Sequence, residues 1–221
     1  LCPGFACGLG LTPHSFRLIG IPKQPRAVGS VDSALHVTDP LHDYEVDMAA
    51  EHTDIGGYIF MQKPPSDGRE RVKVYQDGGR PAELSGRGIY ARAFCDAHPN
   101  LPVEEDGRLN DPVLRENFMT RVYAYRDWHA LLKQGITRRS LTEFHARYKY
   151  QLMANHPVQY KTLGNLLGSL GKQDPRAIAP QYFSELMKAL KRCATRRTHT
   201  NVLQHLSGYL KQSISSADKQ E

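Results

Sequence analysis

The chain predicts a small, mainly parallel α/β domain followed by an all-α helical bundle. Three observations carry this prediction. Short apolar runs bounded by Gly and Pro, such as Tyr58-Ile59-Phe60 and Val72–Val74, mark strands in the first half. Apolar residues spaced three and four apart, with short connections between stripes, mark packed helices in the second. The charge changes at the same place: residues 1–135 carry 15 Lys+Arg against 18 Asp+Glu, and residues 136–221 carry 14 against 5. The net charges are therefore −3 and +9. Two domains follow, 1–135 and 136–221, with the boundary at Gly135.

With 221 residues, 40% hydrophobic and 24% charged, the composition is that of ordinary globular protein. No apolar run approaches the roughly 20 residues that span a bilayer. The opening LCPGFACGLG lacks the basic and apolar regions of a signal peptide. Cys2, Cys7, Cys95 and Cys193 are sparse and form no CxxC pair, which fits a reducing, cytoplasmic setting and argues against a self-contained zinc site. The chain lacks an initiator Met, and Ser215–Glu221 reads as the cap and first turn of a fifth helix of the bundle. The expectation is a piece trimmed at both ends.

In chain order, residues 1–30 are rich in Gly and Pro and include an extended Phe16–Ile21. Val46–Glu51 reads as the end of a helix leading into the Tyr58 strand. The loop after Phe60, Lys63–Gly68, leaves a strand's carboxyl end, where α/β sheets usually place their ligands. Gly86-Arg87-Gly88 then opens a helix running to about His98. Two glycines there could admit a phosphate to helix N–H groups, but tight packing of the turn is the better reading. Glu104, Glu105, Asp106 and Asp111 cluster as a hard cation would require, yet Gly107 makes a turn and Asp111 followed by Pro112 caps a helix. That helix extends to Gln134 on Leu114, Phe118, Val122 and Tyr125, and Gly135 ends it.

In the second half, Ser140-Leu-Thr-Glu143 reads as a capping box for a helix ending at Asn155. Pro157 and Pro180 each read as a helix start, and a further helix spans about Thr200 to Ser213. The candidate nucleic-acid contacts are Lys191, Arg192, Arg196 and Arg197, with His199 and Asn201 at a helix start, and Arg147 and Lys149 earlier. Cations beside helix N–H groups suit phosphates. Tyr148 and Tyr150 between the earlier cations would suit base stacking, although aromatics at helical spacing more often belong to a core. His145, His156, His199 and His205 have no carboxylate or Cys at ligand spacing, so a metal site among them is disfavoured.

Several segments resemble known families. Cys2-Pro3, GLG at Gly8–Gly10, RLIG at Arg17–Gly20, GGYIF at Gly56–Phe60, VKVY at Val72–Tyr75, GRGIYARAF at Gly86–Phe94 and Leu101–Phe118 resemble the thiouracil desulfidase family. Phe144–Pro157, Tyr160–Gly164 and Ala194–Lys211 resemble the YbgA-like helical domain. The two-domain order is similar to that of desulfidases acting on 4-thiouridine in tRNA. The resemblance implies tRNA as partner and a 4Fe–4S cluster held by three cysteines, with one iron open to the substrate's sulfur. The family's loops are an early ACLLG-type loop, a Cys-Pro-Glu loop and a Ser-Pro-Ser-Cys-Gly loop. Here the early loop is missing, and Cys2-Pro3 is followed by Gly4 where the family has Glu. The third loop reads Pro64-Pro65-Ser66-Asp67-Gly68, with Pro64 for the first Ser and Asp67 for the Cys. Aspartate is a hard oxygen ligand, so Ser66 and Asp67 mark a degenerate catalytic loop. Cys2, with Cys7 as a substitute thiol, is the remaining candidate for holding a cluster.

The leading expectation is a tRNA-directed protein of desulfidase ancestry with an impaired cluster centre and an RNA-binding helical half. The alternatives are an active desulfidase with a nonstandard ligand, Asp67 or Cys7, and a helical protein-interaction module that binds no RNA.

Overall fold

The computed structural model describes residues 16–21, 24–30, 36, 38–39, 54–62, 65–76, 81–171 and 173–213. Cys2, Gly4, Cys7, Lys63, Pro64, the Val46–Glu51 helix end and the Ser215–Glu221 turn lie outside them. The chain divides into two compact units, Leu1–Arg115 and Glu116–Glu221.

The first unit is built on β1 (Phe16–Ile21), β2 (Gln24–Gly29), β3 (Tyr58–Phe60), β4 (Val72–Tyr75), β5 (Pro81–Gly86), α1 (Ile89–Ala97) and β6 (Val103–Glu105). Four strands form one sheet in the order β2-β1-β4-β5. Within it β1 and β4 run parallel, while β1–β2 and β4–β5 are antiparallel. β3 pairs in parallel with β6 as a separate two-stranded sheet. The two strands flanking the Lys63–Gly68 loop therefore belong to different sheets, and β6 is an element that its acidic composition concealed. Alternation along β4 buries Val72 and Val74 against Leu18 and Ala27. Around β3, Tyr58, Phe60, Tyr90 and Phe94 pack ring against ring, with Tyr58–Phe94 centroids 4.5 Å apart.

Helix α2 (Pro112–Gln134) follows a short 3₁₀ turn at Asp106–Asn110. Its ends are those the sequence predicts: Asp111 Oδ1 accepts from the Val113 and Leu114 N–H groups, and Gly135 takes a left-handed φ of 92°. The compact division falls inside the first turn of α2 rather than at Gly135. The reason is that Ala124 and Trp128 sit in the core of the helical unit.

The remaining helices are α3 (Arg138–Asn155), α4 (Pro157–Gly168), α5 (Pro175–Leu190) and α6 (Arg196–Ser213). Three starts differ from the sequence reading. Helix α3 begins earlier because Thr137 caps it, exchanging hydrogen bonds with Ser140, so Ser140 is the third helical residue and not the cap. Helix α5 begins at Pro175, where Asp174 Oδ1 accepts from Arg176 N–H, and Pro180 lies inside the helix. Helix α6 begins at Arg196, because Thr195 and Thr198 form a reciprocal cap ahead of Thr200. The core centres on Trp128, stacked on Phe183 at 4.6 Å, with Leu141, Leu152, Leu163, Tyr182 and Leu186 around it.

Candidate functional site

Beyond β3 the chain turns at Pro65–Gly68 and tucks Ser66 and Asp67 inside, at 3% and 8% exposure. Helix α1 fixes this turn from the other side. The Gly88 N–H donates to the Gly68 carbonyl at 2.7 Å, and the Ala91 N–H donates to the Ser66 carbonyl at 3.2 Å. These bonds occupy the helix-start amides that a phosphate would have needed, so Gly86–Gly88 packs the turn. A Cβ on Gly88 would lie 2.0 Å from the Ser66 carbonyl oxygen, which is why the position holds glycine.

Within the turn, the Ser66 hydroxyl donates to Asp67 Oδ2 at 2.8 Å. Burial pushes the Asp67 carboxyl above its ordinary 3.8, and the Ser66 bond opposes this without cancelling it. A thiolate-held cluster needs soft donors, whereas this loop offers a buried carboxyl that resists ionisation. Cys95 in α1 and Cys193 after α5 are each half-buried, and among the described residues no group of three or more His, Cys, Asp or Glu could hold a metal. The described residues do not fit an iron–sulfur cluster.

The neighbouring carboxylates have structural duties. Glu105 Oε1 accepts from the Arg69 and Glu70 N–H groups at 2.8 and 2.9 Å. Glu104 Oε1 receives Arg108 Nε at 2.8 Å and Arg69 Nη1 at 3.2 Å. Asp106 Oδ1 accepts from the Gln62 N–H, and Asp111 caps α2. Together these bonds anchor the chain leaving the Ser66–Asp67 turn onto β6.

Beside the turn lies a cavity of about 760 Å³. Pro65 lines it, with Arg17, Arg71, Lys73 and Arg108 against Glu70 and Glu105, and the rings of Phe16 and Tyr75. The four cations outnumber the two carboxylates, so the cavity favours a ligand carrying negative charge. Arg71 holds a left-handed φ of 58° at its edge. Sequence reasoning missed the cavity, although Arg71, Lys73 and Tyr75 alternate with the buried Val72 and Val74.

In the helical unit the sequence-predicted contacts separate into two groups. Arg147 and Arg126 both bind Asp127, at 2.9 and 2.8 Å, and the Tyr148 hydroxyl donates to the same carboxylate at 2.8 Å. Burial works against ionisation of Asp127, but the bonds from Arg126, Tyr148 and Arg147 outweigh it and hold the carboxyl below 3.8. Tyr148 is buried in the core, and Tyr150 packs beside Met153, Ala154 and Val202 with Lys149 Nζ 4.7 Å from its ring centre. Neither tyrosine is presented as an open stacking platform. The second group, Lys191, Arg192, Arg196, Arg197, His199 and Asn201, is exposed on the α5–α6 turn and the start of α6. No carboxylate among the described residues pairs with Arg192, Arg196 or Arg197.

The four histidines do not converge. His145 Nδ1 lies 3.0 Å from the Tyr182 hydroxyl, and burial, with Lys149 adding to it, lowers the ring's pKa. His156 accepts from Gln159 N–H as the cap of α4, His199 lies in the first turn of α6, and His205 meets Tyr209 edge-on.

The fold is thus a sheet unit carrying the buried Ser66–Asp67 turn, followed by a helical unit carrying an exposed basic turn. Residues 1–106 match the family model described as 2-thiouracil desulfurase, and residues 149–221 match one described as a protein of unknown function, DUF1722. A curated relative, the uncharacterized protein YbgA of Escherichia coli (strain K12), is 31% identical over 107 residues. That alignment covers 48% of this chain and 63% of the relative, so the chain spans somewhat under two thirds of its length. No solved structure matches the chain. The chain is similar to 2-thiouracil desulfurase over residues 1–106 and to DUF1722 over residues 149–221, as a fusion of the two would be.

Proposed function

We propose that this protein is tRNA-directed and of thiouracil and 4-thiouridine desulfidase ancestry. Its cluster centre has decayed at Asp67, and its helical unit contacts RNA through the α5–α6 turn in a cytoplasmic setting. The observation that carries the RNA reading is the contrast within the helical unit. Arg126 and Arg147 share the Asp127 carboxylate, while Arg192, Arg196 and Arg197 stand exposed with no described carboxylate beside them. The buried, hard Asp67 carboxyl supports the loss of the cluster.

A salt titration of binding to a tRNA transcript tests this. Each phosphate contact should contribute a slope of roughly 0.7–0.9 in log K against log salt. Arg196→Ala with Arg197→Ala should weaken binding about tenfold or more and reduce the slope by about two contacts. Binding indifferent to salt, or unchanged in that double variant, would sink the reading.

The cavity beside the Ser66–Asp67 turn favours a second reading, an active desulfidase with Asp67 or Cys7 as a nonstandard ligand. Anaerobic iron and sulfide reconstitution, followed by iron counting and a sulfide-release assay on thiouracil, separates the two. A stable cluster with sulfide release supports the second; neither appearing rules it out and leaves the first to the tRNA titration.

A further inference from the structure

Two buried asparagines meet at the basic turn. Helix α5 ends at Leu190, and its last carbonyls have no partner within the helix. The Asn117 amide, from α2, donates to the Leu190 carbonyl at 2.9 Å and reaches the Arg192 carbonyl at 3.5 Å. The Asn155 amide, from the last residue of α3, donates to the same pair at 3.4 and 2.5 Å. Both side chains are buried, at 8% and 2% exposure.

The orientation of each amide is set from its own helix. Arg121 Nε donates to Asn117 Oδ1 at 3.1 Å, and Gln151 Nε2 donates to Asn155 Oδ1 at 2.8 Å. An oxygen facing a donor forces the NH₂ group to the opposite side, toward the turn. Two NH₂ groups supply four donor hydrogens, matching the four acceptor directions of two carbonyls. Replacing one asparagine by an aliphatic residue would leave the two carbonyls sharing a single NH₂ group.

We infer that Asn117 and Asn155 are positioning residues for the RNA contact, clamping the backbone between α5 and α6 so that Arg192, Arg196 and Arg197 are held in one arrangement before RNA arrives. This rests on the RNA reading proposed above. A phosphate backbone rewards fixed cations, because ordering several long side chains and their loop at the moment of binding costs affinity. The clamp removes the backbone part of that cost.

The experiment uses the full chain and an unmodified tRNA transcript, at a temperature where circular dichroism shows each variant folded. Asn155→Leu keeps the branched shape at a larger volume and removes both donors. It should weaken binding by about tenfold and lower the salt slope by about one contact, roughly 0.7–0.9. A residue acting only on overall stability would lower the melting temperature and leave the slope of the folded protein unchanged, and that result overturns the inference. Arg196→Ala with Arg197→Ala runs beside it. If those substitutions have no effect, the RNA reading itself fails; if they weaken binding while Asn155→Leu does not, the clamp alone fails. Should Asn155→Leu not fold, hydrogen exchange of the wild-type protein without RNA decides. The Cys193 and Ala194 amides should exchange at least tenfold more slowly than the Ile136 amide, and equal rates overturn the clamp.

Discussion

Asp67 in the sheet unit is buried and Asp127 in the helical unit is half-buried, and their environments shift them in opposite directions. Asp67 has one hydroxyl donor and a buried turn around it, so burial prevails and the proton is held more tightly. Asp127 has two arginines and a tyrosine hydroxyl, and the ionised form prevails. The contrast teaches that depth and charged donors act together: the deeper carboxyl with one hydroxyl donor is pushed toward its protonated form, and the shallower one with two arginines stays charged. It also shows how the units use charge. The sheet unit ties its acidic residues inward, with Glu104 and Glu105 bonded to Arg69, Arg108 and backbone amides. The helical unit leaves its cations at the α5–α6 turn facing solvent.

The comparison can be tested by disrupting each unit separately. The largest expected effect is Trp128→Ala, which removes the ring stacked on Phe183 and should cost about 3–5 kcal/mol in the helical unit. The chain has a single tryptophan, so in the wild-type protein intrinsic fluorescence follows the helical unit and circular dichroism follows both. Next is Glu104→Ala, which strips a buried acceptor from Arg69 and Arg108. With both arginines partly open to water, a loss of about 2–3 kcal/mol is expected, read from the urea midpoint. Gly88→Ala, whose Cβ collides with the Ser66 carbonyl, should cost about 1–3 kcal/mol and leave the fluorescence transition in place.

The pH dependence should separate the two aspartates by sign. Above its folded-state pKa, Asp67 must be ionised in a buried site, which opposes folding. As pH falls through that value toward 3.8, protonation relieves the opposition. Asp67→Asn should therefore be more stable than wild type at pH 8, with the advantage shrinking as the pH approaches 3.8. Asp127 stabilises fully above 3.8 and loses that contribution as pH falls below 3.8 through its lowered folded value. Asp127→Asn should be less stable than wild type at pH 7, and the gap should close only in stronger acid. The smallest effect is Arg139→Ala, whose pairing with Glu143 is fully at the surface. A midpoint indistinguishable from wild type is expected.

Much of the fold was legible because local signals agreed with tertiary packing. Asp111, Pro112 and Gly135 delimit α2 as written, and Gly86–Gly88 opens α1 where expected. Elsewhere several local signals competed. Ser140 and Thr137 can each cap a helix, and only the Thr137–Ser140 exchange of bonds decides between them. Pro180 resembles a helix start as strongly as Pro175 does, until Asp174 is seen capping the latter. β6 was hidden because Val-Glu-Glu looks exposed, and its burial depends on arginines distant in sequence. The Lys63–Gly68 loop was legible from its place after the Tyr58 strand, and the resemblance singled out Ser66 and Asp67 within it, whereas Asn117 and Asn155 were missed. Their one signal is faint: polar amides at helix positions that the core surrounds, for which pattern alone does not name a partner.

The parallel pairing of β3 with β6 also has a consequence for the order of assembly. Tyr58 finds Val103, and Phe60 finds Glu105, only after all the intervening chain has been made and its ends brought together. Closing so long a loop is entropically costly before any contact rewards it, and such pairings form slowly. The helical core closes loops at least as long, because Trp128 stacks on Phe183 and the Asn117 amide reaches the Leu190 carbonyl. The turn bearing Asp67 hangs from β3, so its final geometry should be among the last parts of the sheet unit to set. A refolding experiment should show the Trp128 fluorescence and the strand signal recovering at similar rates, because both report the closing of loops of comparable length.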